Sequence, residues 1–214
     1  MHEILFVSLF SLLGGQFNAR QYLVVDETLK SYKDIICSYG YCPRGEHAFS
    51  YLWEPADDQS RWSSISSMSI EGSVTNFLVN TTERSVDGAL FMDVLKNDIF
   101  PMMKAYPGDR SVLLLDNCRI HQKDEIAIAC AQRIGGLVLV LYLPPYSPDF
   151  SPIENMFHIT KQKMQTHYGT EHGFSIREIF LECLRSAITP EVACKLFEKC
   201  YIHVTDEEKA WATR

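Results

Sequence analysis

The chain has 214 residues, of which 46% are hydrophobic and 22% are charged, so its composition is that of a folded globular domain and excludes a disordered or repeat-based protein. Its formal net charge of −7 argues against a protein that mainly coats nucleic acid, because neutralising phosphates needs clustered Lys and Arg. The charge does not exclude an enzyme that contacts DNA through metal ions and a local basic rim.

The seven cysteines and the N-terminal segment favour an intracellular protein, nuclear or cytoplasmic. The cysteines form no CxxC pair, as expected for reduced thiols. The apolar run 4–13 is far shorter than the roughly 20 residues that span a bilayer, so we expect no membrane association. Secretion is not expected, since Glu3 stands where a signal peptide carries positive charge. We interpret residues 1–20 as a leader or a remnant of truncation.

The spacing of apolar residues predicts strands and helices along most of the chain. Residues 22–25 read as a buried strand that ends on Asp26, and Gly72 suits a turn between two half-exposed strands. The other predicted strands are 49–53, 61–69, 73–79, 112–115 and 137–143. Helices are predicted at 87–103, at 122–133, from Pro152 to about Gln165, and as one or two amphipathic segments between 175 and 200.

The order of these elements predicts the fold class. Hairpin strands come first and alternating strands and helices follow, which indicates an α/β domain with a mixed central β-sheet flanked by α-helices. We expect this domain to occupy residues 21–170, with a C-terminal helical extension at 171–214. The sequence contains no linker rich in Pro, Gly or Ser and no separate basic helix-turn-helix segment.

Two aspartates follow predicted strands. Asp116 terminates a fully apolar strand, and such strand ends are where open α/β sheets bind ligands. It is equally well explained as a helix cap. Asp26 follows the first strand, where a turn or cap aspartate is also common. Asn117 comes next to Asp116, and His121 lies near the start of the next helix, where it could orient substrate or simply pack.

Glu154 also has two interpretations. Ser151, Pro152 and Glu154 form a capping box, in which the glutamate folds back onto the N-cap amide and needs no metal. However, the three prolines at 144, 145 and 148 make the preceding loop stiff, since each restricts the residue before it. Such stiffness suits the placement of a metal ligand.

Asp26, Asp116 and Glu154 together make a plausible acidic triad. Three carboxylates within about 5 Å repel one another strongly unless a cation binds them. Oxygen ligands of this kind select Mg²⁺ or Mn²⁺, and two such ions can activate a water or a 3′-hydroxyl for phosphoryl transfer. Lys161 follows Glu154 by two helical turns and could reach a phosphate, although a solvated surface lysine is as good an explanation.

Four segments carry a family resemblance. They are Val24-Val-Asp-Glu-Thr28, Tyr39-Gly-Tyr-Cys-Pro-Arg-Gly45, Leu115-Asp-Asn-Cys-Arg-Ile-His121 and Leu143-Pro-Pro-Tyr-Ser-Pro-Asp-Phe-Ser-Pro-Ile-Glu154. In these motifs the chain resembles the DDE transposases of the Tc1/mariner (IS630-like) group, over about residues 20–170. The second segment contains Arg44, which we expect to contact DNA together with Asn117, His121 and Lys161.

The resemblance implies an RNase H-like fold with Asp26, Asp116 and Glu154 as catalytic ligands of two Mg²⁺ or Mn²⁺ ions. It implies nicking of DNA at transposon ends and attack of the freed 3′-hydroxyl on target DNA, and it allows a homodimer. Ser151 and Phe157 replace the family's usual Asn and Trp. Because the family's N-terminal DNA-binding domains are missing, we expect a truncated copy that has lost recognition of transposon ends.

Two alternative functions stay open from the sequence. One is a catalytically silent or co-opted relic that keeps the fold as an interaction module. The other is an RNase H-like enzyme that acts on RNA–DNA hybrids, although the Pro-Pro-Tyr-Ser-Pro loop speaks against it.

Overall fold

The computed structural model describes residues 17–30, 42–47, 61–81, 86–118, 123–167 and 175–213. These residues contain a five-stranded mixed sheet in the order β3-β2-β1-β4-β5. The strands are β1 (Tyr22–Lys30), β2 (Trp62–Ser69), β3 (Gly72–Asn80), β4 (Val112–Leu115) and β5 (Leu139–Tyr142). Antiparallel pairing joins β1, β2 and β3, whereas β1, β4 and β5 pair in parallel.

Helices cover both faces of this sheet. They are α1 (Gly88–Val94), α2 (Lys123–Ile134), α3 (Pro152–His167), α4 (Ile176–Ala187), α5 (Pro190–Lys199) and α6 (Asp206–Ala212). One core cluster joins the sheet to α3, α4 and α5, and a second joins its other face to α1 and α2. The predicted α/β class with a mixed sheet is therefore confirmed.

Side chains alternate between the two cores along each central strand, as the period of a β-strand requires. On β1, Val24 lies in the core under α3, whereas Val25 lies in the core under α1. Leu114 and Leu115 on β4 divide in the same way. The continuous apolar character of β4 follows from this burial on both faces.

The structure corrects the predicted end of β1. The strand does not stop at Asp26 but runs on to Lys30, because β2 pairs with it along the whole stretch and supplies partners for its backbone groups. Asp26 therefore lies within a strand and faces Ser66 across the antiparallel pair.

Other predicted elements differ in detail. The helix predicted at 87–103 is α1 followed by a π-helical segment, Leu95–Ile99, and a 3-10 turn, Phe100–Met102, which contains Pro101. Helix α6 was not expected, because its acidic sequence shows no clear apolar face. Thr205 starts it with a capping box to Glu208. The strand predicted at 49–53 lies outside the described residues.

Both ends of the described chain contribute to the core under α3. Phe17 and Ala19 are buried there, and so are Phe180 of α4 and Phe197 of α5. None of the helices in the described part of the chain combines the length and the apolar character that a membrane crossing needs.

Candidate active site

The register of β1 and β4 brings two of the predicted carboxylates together. These strands pair in parallel up to Val25 and Leu115. One residue further along each strand stand Asp26 and Asp116, so the two occupy neighbouring positions. Opposite residues of a parallel pair project to the same face. The residues two positions earlier lie in the core under α3, which places both aspartates on the α3 face of the sheet.

Helix α3 presents the third carboxylate to the same place. The helix begins at Pro152, directly after Ser151, as the capping-box pattern predicts. Ile153 is completely buried in the core, whereas Glu154 on the same first turn is exposed. The buried isoleucine thus fixes the start of the helix against the sheet, and the glutamate projects into solvent beside the two aspartates.

The three carboxylates line one cleft of about 450 Å³ between the sheet edge and the loop before α3. Its other lining residues come from the segment after β4 and from the proline-rich loop. They are Asn117, Cys118, Leu143, Pro144, Pro145, Tyr146, Ser147, Pro148 and Ser151.

Asp26 is the buried member of the group, with 6% of its surface exposed. Burial, and next the negative charges of Glu154, Asp116 and Glu27, raise the pKa of this carboxyl from 3.8 to about 8. The backbone N–H of Glu27, which donates to Oδ1 at 2.8 Å, only partly opposes this rise. Without a cation, Asp26 therefore holds a proton at neutral pH.

Asp116 is oriented by its own turn. The backbone N–H of Cys118 donates to Oδ1 of Asp116 at 3.0 Å, the pattern of an Asx turn. The turn function expected for an isolated aspartate is thus present. It does not remove the side chain from the cleft, which Asp116 also lines.

The donor set fits a hard divalent cation in type, because three carboxylates line one cleft and carboxylate oxygens are the ligands that such ions prefer. As the side chains stand, however, no three potential ligand groups among the described residues are close enough to hold a single ion.

The four residues predicted to contact DNA differ in their position relative to the cleft. Asn117 lines the cleft. Lys161 is half-buried on α3, and Arg44 is exposed, and neither lines the cleft. His121 lies outside the described residues. The assignments of all four residues to DNA binding, Asn117 included, stay predictions.

One cleft residue was missed in the sequence. Tyr146 is fully exposed and has a left-handed backbone, with φ of 58°. Ser147 after it is nearly buried, and its hydroxyl donates to the carbonyl oxygen of Pro145 at 3.3 Å. A tyrosine between prolines was visible as part of the motif, but its exposure depends on a backbone conformation that the sequence does not show.

The model of the family described as DDE superfamily endonuclease matches residues 21–172. The chain belongs to this family. The resemblance seen in the motifs, and the RNase H-like DDE fold that it implies, are thereby confirmed.

Solved structures with the same fold include the Mos1 mariner paired end complex with Mn, with a TM-score of 0.61 and 14% identity over 90% of this chain and 56% of that one. The Mos1 Strand Transfer Complex gives a TM-score of 0.59 and 17% identity, covering 86% of this chain and 52% of the other. The catalytic domain of Mos1 transposase with Raltegravir and Mn gives a TM-score of 0.54 and 12% identity, covering 97% of this chain and 90% of that one.

This DDE-family chain thus spans little more than half the length of the first two structures that it matches, and most of the length of the isolated catalytic domain. No curated protein sequence matches it significantly.

Proposed function

We propose that this DDE-family domain is a metal-dependent DNA endonuclease that also catalyses strand transfer. The observation that carries the proposal is the convergence of Asp26, Asp116 and Glu154 on one cleft from three different elements. A carboxyl whose pKa is raised first by its burial and then by neighbouring carboxylates is an arrangement that favours binding of a cation.

Asp26, Asp116 and Glu154 would hold two Mg²⁺ or Mn²⁺ ions. When bound, such ions lower the pKa of the attacking hydroxyl or water and stabilise the leaving oxygen of a phosphodiester. Relatives support this choice, since Mos1 structures include a paired end complex with Mn and another with Mg.

The three carboxylates differ in burial and in the contacts that orient them. Asp26 is buried and fixed within a strand paired on its β2 side, and Asp116 is oriented by the N–H of Cys118. Glu154 is the exposed member. We expect the two aspartates to form the inner part of the site and Glu154 to complete it from the solvent side.

The surroundings of the cleft suit a phosphodiester. Ser151 and Glu154, at the N-terminal end of α3, line the cleft, and the positive end of a helix dipole attracts anions. The bound cations would offset the local carboxylate charge, which otherwise repels DNA. The exposed ring of Tyr146 stands at the rim and can stack on a nucleobase or a sugar.

We further propose that the DNA partners are transposon ends and target DNA, as for the Mos1 strand transfer and paired end complexes. A homodimer belongs to the same proposal, since two ends must be joined. In this reading residues 21–170 form the catalytic domain and residues 171–214 form a helical extension of it.

A nicking assay on supercoiled plasmid tests the proposal. The purified chain should convert supercoiled to open-circular DNA when Mn²⁺ is added and not in EDTA. Asp116→Asn should reduce nicking to the EDTA level, because an amide removes the charge that binds the cation.

Asp109→Asn is the matched control, since Asp109 is an exposed aspartate that pairs with Lys104 on the surface. It should nick like the unmodified chain. Equal nicking by the Asp116→Asn variant would refute the assignment, and absence of both nicking and Mn²⁺ binding in the unmodified chain would favour a silent relic.

A further inference from the structure

The last residue of α5 and the turn that follows it dock on the first turn of α3. Lys199 Nζ donates to Asn155 Oδ1 at 2.7 Å. The amide nitrogen of Asn155 lies 3.6 Å from Cys200 Sγ and 3.4 Å from the backbone oxygen of Ser151. A single asparagine side chain therefore connects the start of α3 with the end of α5.

An aromatic contact lies at the turn that precedes this helix. The rings of Phe150 and Tyr201 are 5.9 Å apart between centroids and tilted relative to each other. Phe150 ends the 3-10 turn, Pro148–Phe150, that leads into α3, and Tyr201 follows directly after Cys200. The segment 199–201 thus contacts α3 and the turn before it.

Glu154 lies between these points of attachment. Ile153 on one side is completely buried in the core, and Asn155 on the other side is bound by Lys199. The first turn of a helix is less constrained than its middle, because its N–H groups lack partners within the helix. A metal ligand on such a turn must nevertheless stay within about 0.5 Å of its place.

We infer that Lys199 and Asn155 form a positioning pair that holds the first turn of α3, and with it Glu154, at the cleft. The inference rests on the proposed function, since it assigns the pair to the same metal-binding site. It gives a role to the C-terminal segment, which lies beyond the residues 21–172 that match the family model. Neither side chain of the pair lines the cleft itself.

Lys199 is well suited to a test because it is exposed. Hydrogen bonds and ion pairs of exposed lysines contribute little to stability, so its substitution should leave the free energy of unfolding nearly unchanged. An effect on metal binding can then be separated from an effect on folding.

The experiment measures Mn²⁺ affinity by calorimetric titration of the full chain with the metal alone. Lys199→Met keeps most of the side chain's length but removes the donor, and Asn155→Ala removes the acceptor. Lys195→Met is the matched control, since Lys195 is exposed one turn earlier on α5 and pairs with Glu191 at 2.5 Å. Urea unfolding of each variant checks that the fold is kept.

We expect Lys199→Met and Asn155→Ala to raise the dissociation constant for Mn²⁺ about fivefold, less than is usual for groups that contact a ligand directly. Lys199→Arg, which restores a donor, should bind nearly as tightly as the unmodified chain, and Lys195→Met should not differ from it.

If Lys199→Met binds Mn²⁺ as tightly as the unmodified chain, the positioning pair is refuted while the proposed function stands. If the unmodified chain itself binds no Mn²⁺, the proposed function fails, and the pair fails with it.

Discussion

Asp26 lies within β1 and Asp116 directly follows β4, and each is one residue beyond the last position at which these two parallel strands pair. The backbone register alone therefore places both carboxylates on one face of the sheet. Glu154 reaches the same cleft from α3. Since this proximity is set by strand pairing, the carboxylates stay neighbours even when their charges repel, and the effects of that repulsion can be measured.

The first prediction concerns the pH dependence of stability without metal. The pKa of Asp26 is 3.8 ordinarily and about 8 in the folded chain. Between these values the folded chain keeps a proton that the unfolded chain has released, so the contribution of Asp26 to stability falls as pH rises from about 4 to 8. The steepest loss is about 1.4 kcal/mol per pH unit.

Urea unfolding in EDTA at pH 5 and pH 8 measures this loss, with Asp26→Asn as the reference. The asparagine cannot titrate, so the variant should lose less stability between the two pH values and should be the more stable of the two proteins at pH 8. Parallel pH profiles for the two proteins would mean that Asp26 does not carry the raised pKa.

The second prediction concerns metal binding at the same residue. Mn²⁺ at ten times its dissociation constant should stabilise the folded chain by about 1.4 kcal/mol. Asp26→Asn should lose this gain, although the variant is more stable than the unmodified chain without metal. Thermal unfolding at pH 7.5 with and without Mn²⁺ measures both the stabilisation of the unmodified chain by the metal and the higher stability of the variant without it. A Mn²⁺-induced rise in Tm that persists in the variant would remove Asp26 from the ligand set.

Much of the fold is visible in the sequence where local signals agree. The strand predicted at 112–115 is β4, because four apolar residues bounded by polar ones leave a single interpretation. The start of α3 at Pro152 is also predicted, since Ser151 and Pro152 match the preferences of the positions before and at the first helical residue.

What the sequence could not show depends on distant partners. The extension of β1 beyond Asp26 is too polar to predict a strand, and it forms because β2 pairs with it from about 35 residues away. The contact between Asn155 and Lys199 joins residues 44 positions apart. No pattern along the chain indicates that the end of α5 lies beside Glu154.

The third prediction concerns Tyr146 as a DNA contact. Its ring is fully exposed at the rim of the cleft, so it contributes little to the core and is available to stack on DNA. Tyr146→Ala should weaken binding of a short duplex with a single-stranded end by about 1–3 kcal/mol, the usual value of one base–aromatic stack.

Fluorescence anisotropy with Ca²⁺ in place of Mn²⁺ measures this binding without cleavage. Tyr146→Phe keeps the aromatic face and should bind like the unmodified chain, which separates stacking from hydrogen bonding by the phenol. Equal affinity of the alanine variant would show that the tyrosine does not touch DNA.

The last prediction concerns Gly72, which joins the β2–β3 hairpin to the loop after α4. Its φ is 110°, a conformation that side chains rarely adopt, and a Cβ atom there would stand 2.6 Å from the backbone oxygen of Ile188. Gly72→Ala should therefore combine backbone strain with a clash against backbone and lower the free energy of unfolding by about 2 kcal/mol or more.

Gly135→Ala is the matched control, because Gly135 also has positive φ, at 67°, but has nothing within 4 Å of the added atom. In this variant the free energy of unfolding should fall only by the cost of the backbone strain, about 1 kcal/mol. Urea unfolding of the two variants compares these losses, and equal losses would show that the hairpin and the loop at Ile188 are not in close contact.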